Sequence, residues 1–190
     1  MTIHGMGEPE YPGSTGNMIW SLVLAIGAGA VLLFLQFTPR PFLTTIAAIL
    51  WLVALMGAAA LIQMLQAHVP SRRLGRIAWR VAGASYVVGA AILIADPLLG
   101  NGRMVAALAS ALALAGLARL SFALGSEQRG RRWYFLSGVM TLAVGMAIGF
   151  AWPFSLVAPA IKLLAVDLLV LGATNIPAHN GTFDNRMRPT

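Results

Sequence analysis

WYFLSGVMTLAVGMAIGFAWPFSLVAPAIKLLAVDLLVLGAT, residues 133–174, is the stretch that decides the fold. Two apolar runs, 133–152 and 155–174, meet at the tight break WPFS (152–155). Each has close to the ~20 residues that a helix needs to cross about 30 Å of hydrocarbon. The same grammar extends backwards along the chain and places further spans at 18–37, 42–66, 77–95 and 104–124. The intervening breaks are TPRP (38–41), AHVPSRRLGR (67–76), DPLLGNGR (96–103) and GSEQRGRR (125–132). The expected fold is all-α: an integral membrane bundle of six transmembrane helices arranged as helical hairpins.

Composition agrees with that reading. Of 190 residues, 58% are hydrophobic and 10% charged, with a mean hydropathy of +0.79, too little charge to coat a water-soluble domain. The net charge of +7 comes almost wholly from arginines, most of them in the breaks, which is the pattern of membrane topology and not of a nucleic-acid surface. No cysteine is present, which excludes disulfides and thiolate metal sites. His4, His68 and His179 are scattered without ligand spacing, so neither a metal nor a cofactor is expected.

The breaks at 67–76 and 125–132 hold Arg72, Arg73, Arg76, Arg129, Arg131 and Arg132, against only Arg40 and Arg103 in the alternate breaks. The positive-inside rule then puts both termini in the cytoplasm, in agreement with an even number of spans. The organisation is a tail at 1–16 expected to be disordered, hairpins at 17–66, 75–124 and 130–174, and a polar tail at 175–190.

The hairpins repeat. GRIAW (75–79) and GRRW (130–133) open the second and third with a boundary tryptophan, Trp79 or Trp133. Gly89 precedes Pro97 by eight residues, as Gly145 precedes Pro153, and Gly116 and Gly172 follow those prolines by nineteen. The first hairpin keeps Trp20, Pro39 and Gly57 at similar offsets. Prolines end the outgoing helices, tryptophans suit the interface, and small residues allow close helix approach. Gly145 and Gly149, and the row Ala107, Ala111 and Ala115, are expected at helix-packing seams.

This ordered pattern resembles the HdeD family of bacterial inner-membrane proteins. The likeness is carried by W-x3-S-G-V-x4-V-G (133–145), the WPFS turn and AVDLLVLGA (165–173), where Ala165-Val166 stands in place of the family's Gly-Ile. The resemblance implies three two-helix repeats in a multi-pass protein of the bacterial inner membrane, associated with acid resistance.

Two charges interrupt the last span. Lys162 and Asp167 are five residues apart, so on a helix they point about 140° apart and do not pair. Lys162 can snorkel outward, whereas Asp167 must face the bundle, find a partner or be protonated. Arg80 and Arg119 match it in depth, and an ion pair of Asp167 with either one is the preferred reading over a titrating, proton-carrying carboxylate. Asp96 is expected to cap a turn.

No nucleophile, base and orienting group recur together, so no enzyme is expected. Three roles remain: an HdeD-like structural or acid-stress-protective protein, an accessory subunit of a larger membrane complex, and a small proton or solute transporter using Asp167. The implied partners are the lipid bilayer and, in some of these readings, other membrane subunits or further copies of the chain.

Overall fold

The structure, a computed structural model, describes residues 13–37, 41–68, 73–96, 101–125, 131–151 and 157–183. Six α-helices and no strand occur among them: α1 (Gly13–Phe37), α2 (Pro41–Gln66), α3 (Arg73–Ala95), α4 (Gly102–Gly125), α5 (Arg131–Ala151) and α6 (Val157–Phe183). All six are long and apolar enough to cross a membrane, and the protein is a multi-pass membrane protein.

Local chemistry sets several boundaries. Asn101 caps α4, its side-chain oxygen accepting the Arg103 amide at 3.0 Å, and the Asp96 carboxylate accepts the Asn101 amide at 2.8 Å. Pro159 is the third residue of α6, where its missing N–H breaks no helical bond, so it does not interrupt the span. α1 starts at Gly13 and α6 runs on to Phe183, beyond the limits of the apolar segments. The turn residues Pro97 and Pro153 lie outside the described residues.

The helices form a closed ring in chain order. Each touches its successor, α6 returns to α1, and α2 also reaches α6. The seams between hairpins (α2–α3, α4–α5, α6–α1) are, taken together, more extensive than those within them. Glycine makes two of these seams possible. A Cβ at Gly116 would lie 2.7 Å from the Leu142 nitrogen of α5, and one at Gly172 would lie 2.6 Å from the Ala25 nitrogen of α1. Each glycine therefore sits against the backbone of the first helix of the next hairpin, the close approach that holds helices together where lipid offers no hydrophobic drive. Gly57, the counterpart in α2, faces open space.

Side chains are distributed as hydrocarbon requires. Phe150, Leu74, Phe37, Ile94 and Leu50 stand exposed around the outside, while Leu24, Leu52, Met56, Leu93, Leu112 and Leu164 fill the interior. The exposed Arg73, Arg76, Arg131 and Arg132 mark one end of the bundle, called here the arginine-loop end.

Candidate functional site: a polar network in mid-membrane

Asp167 lies at the middle of the apolar stretch Pro159–Ile176 and is 1% exposed. One carboxylate oxygen, Oδ2, accepts the hydroxyl of Tyr86 on α3. The other, Oδ1, accepts the hydroxyl of Thr141 on α5 at 2.5 Å. Arg119 on α4, also 1% exposed, donates through Nη1 to Thr141 Oγ1 at 2.6 Å and to Ser137 Oγ at 3.2 Å. Its guanidinium carbon sits 5.1 Å from the centre of the Tyr86 ring. The Thr141 hydroxyl thus accepts from the cation and donates to the anion, relaying the attraction between them.

Four helices meet in this network although their backbones are not all adjacent. α3 and α6 make no backbone contact, and the reach of Tyr86 joins them across the ring. A cation, an anion and three hydroxyls so arranged leave no net charge in the hydrocarbon. The Coulomb attraction between the two ions is strong there because the surroundings are poorly polarisable. Replacing either ion alone leaves the other buried without compensation, the costliest way to disturb such a group.

The structure rearranges the expected cluster of Asp167, Lys162, Arg119 and Arg80. Arg119 and Asp167 belong together, joined through Thr141. Arg80 is exposed, and so is Lys162. Helical phase explains both: Arg80 precedes Tyr86 by six residues and lies about 120° from it around α3, and Lys162 points about 140° from Asp167. Among the packing positions, Gly89, Gly116, Gly145 and Gly172 are buried, and a Cβ at Gly145 would meet the Ala109 oxygen and Ala113 nitrogen, both at 2.9 Å. Ala111 and Ala115 are buried, but Ala107 is exposed, because a row with four-residue spacing drifts about 40° per step. Gly149 is exposed at the rim of the α4–α5 seam.

Tyr86, Thr141 and Ser137 did not stand out in the sequence. A signal for Tyr86 was there: it is one of only three tyrosines and lies mid-span, away from the interface where tyrosine is at home.

The arginine-loop end has two unlike sides. Between α3, α4 and α5, Trp79, Phe122 and Tyr134 form an aromatic triangle with ring centres 5.3–5.5 Å apart. Trp79 is turned into the bundle, 4% exposed, instead of standing at the interface, because these two partners cover its ring edge-on or tilted. On α1, α2 and α6 the same end buries Ser21, Gln63, Gln66, Thr174 and Asn175. Among the described residues no group of three His, Cys, Asp or Glu is placed to hold a metal ion.

No protein-family model, no curated protein and no solved structure matches this chain.

Proposed function

We propose that this chain is a non-enzymatic membrane protein with a structural, acid-stress-protective role of the HdeD type, resident in a bacterial inner membrane with both termini cytoplasmic. The observation that carries the structural part is the wiring of Asp167. Both carboxylate oxygens are engaged by hydroxyls from other helices, and the cation that balances it is held by the same Thr141. A carboxylate fixed this way joins α3, α4, α5 and α6 into one body. A carrier would instead present it to a path crossing the membrane, and among the described residues the buried side chains beyond Asp167 from the arginine-loop end, such as Leu52, Leu93, Leu108, Ile148 and Ile161, are apolar. The acid-stress part rests on the sequence resemblance, and the topology on the distribution of arginines.

The test separates scaffold from chemistry. Cells lacking the chain are challenged at low pH after complementation with the wild type or with the charge-neutral pair Asp167→Asn/Arg119→Gln. The wild type restores survival, and so does the double variant wherever it reaches the membrane at wild-type abundance. An abundant, assembled double variant that fails to protect gives the carboxylate a chemical task and transfers the weight to a proton transporter. Failure of the wild type itself removes the stress role.

A further inference from the structure

Among the described residues, seven buried side-chain atoms have no hydrogen-bonding partner: Gln63 Oε1, both polar atoms of Gln66, both of Asn175, and Nε and Nη2 of Arg119. Their residues are between 0% and 4% exposed. All belong to the same half of the bundle. Gln66 ends α2, Gln63 lies about one turn deeper, and Asn175 is about 12 Å along α6 from Asp167 toward the arginine-loop end. Arg119 sits about 9 Å from the end of α4 and extends inward to Thr141.

The opposite half is different. Past the level of Asp167, Tyr86 and Thr141, no buried polar side chain occurs among the described residues, and Ser85, at the level of Tyr86, returns its hydroxyl to the Val81 carbonyl of its own helix. Inside a membrane each unpaired donor or acceptor costs several kcal/mol. Among the described residues every such atom lies on one side of Asp167. The atoms also need both donors and acceptors: the amides lack both kinds of partner, while the arginine lacks acceptors. Water supplies both; a simple anion supplies one.

We infer that the interior between Asp167 and the arginine-loop end binds water, forming a vestibule that stops at the Asp167–Tyr86–Thr141 level and is sealed beyond it. The aromatic triangle of Trp79, Phe122 and Tyr134 covers the α3–α4–α5 side just below Arg119 and Ser137, three residues away from each. Entry is therefore on the α1–α2–α6 side, past Gln66 and Asn175. In the packed structure these atoms are closed off from solvent, so entry accompanies rotation of the amide side chains. The consequence is one-sided access: Asp167, bonded by Tyr86 and Thr141 and balanced by Arg119 among the described residues, meets water from the arginine-loop end alone. This inference goes beyond the stress role and holds or falls separately from it.

The absence of native cysteine makes the test direct. Single, nearly isosteric variants Thr174→Cys and Ser137→Cys report the vestibule, with Gln63→Cys as a further reporter on α2. Ala48→Cys and Ala160→Cys report the sealed half, both positions being fully buried. A membrane-impermeant, cationic methanethiosulfonate reagent is applied to vesicles of each orientation, with monodispersity in detergent checked for every variant. The vestibule cysteines react at least about tenfold faster than the sealed-half cysteines, and only from the arginine-loop end, because a thiol must be hydrated to ionise and react. Equal rates at Ser137→Cys and Ala160→Cys overturn the inference. So does labelling that reaches Thr174→Cys and Gln63→Cys but stops short of Ser137→Cys, since the water then ends before the network. Reaction of the sealed-half cysteines from the opposite side overturns it as well, by making the path continuous.

Discussion

The bundle has two groups of buried polar side chains whose hydrogen bonds are handled in opposite ways. In mid-membrane, Asp167, Tyr86, Thr141, Ser137 and Arg119 bond to one another across four helices. About 12 Å along α6, the Asn175 amide, and with it that of Gln66 at the end of α2, finds no partner among the described residues. Burial is the same in both places, so burial alone does not say what a polar residue does in a membrane. Where the partners are protein groups, the cluster is a fastener whose removal loosens the fold. Where they are not, the residues point to something that comes and goes, and their removal touches the fold lightly.

The largest effect expected is at the ions. Asp167→Leu or Arg119→Leu should each lower the unfolding free energy in mild detergent by about 3–5 kcal/mol, because each leaves its partner buried and uncompensated. The double variant Asp167→Leu/Arg119→Leu should recover a large part of that loss, read as the interaction energy of a double-mutant cycle. Additive losses would mean that the two ions do not sense each other through Thr141, and the contrast between the two groups would lose its first half.

Sequence alone reached the frame of this comparison but not its content. Six spans were legible because apolar runs of membrane length are a strong signal, and Asp167 was legible because one carboxylate in such a run has few ways to exist. Its partners were not. Serine, threonine and tyrosine are ordinary residues of apolar helices, and only the closing of the ring brings Tyr86, from a helix whose backbone never meets α6, to the carboxylate. Arg80 was expected as a partner as readily as Arg119 because depth can be counted along a sequence, whereas the rotation of one helix against another is fixed by packing. Gln63 and Gln66 lay unremarked in the second span, and Asn175 fell at the start of the polar tail, for the same reason: their height was readable and their inward direction was not.

A smaller effect tests whether α6 is held by its network or by its seam with α1. Gly172→Val introduces a Cβ where the Ser21 oxygen lies at 2.7 Å and the Ala25 nitrogen at 2.6 Å. The helices must part, at a cost of about 1–3 kcal/mol in detergent unfolding. Gly57→Ala, at a position with open space around it, should raise stability by roughly 0.5–1 kcal/mol through lower backbone entropy in the unfolded chain. If Gly172→Val were as mild as Gly57→Ala, the α1–α6 seam would be dispensable and the network would be the main tie on α6.

Tyr86→Phe removes one donor and keeps the ring beside Arg119. The expected loss is about 1 kcal/mol, near the upper range of single hydrogen bonds measured between membrane helices and well below the loss of either ion. A loss as large as that of Asp167→Leu would make the Tyr86 hydroxyl, and not the ion pair, the centre of the network.

The smallest effect bears on the second group. Gln66→Met and Asn175→Leu exchange unpartnered amides for apolar side chains of similar size. With no protein hydrogen bond to lose, stability should stay within about 0.5 kcal/mol of the wild type, since replacing a polar group by an apolar one of the same shape is nearly neutral when nothing is left unpaired. Access should change where stability does not: reaction of Ser137→Cys with the impermeant reagent should slow in the Asn175→Leu background, because the entrance has lost groups that bind water. A loss above about 1.5 kcal/mol would mean that these amides have a tie in the folded membrane protein comparable to a hydrogen bond to a charged group, and the two polar regions would then differ only in degree. Unchanged stability together with unchanged labelling would separate the Gln66 and Asn175 amides from the water path and leave it to Gln63 and Arg119.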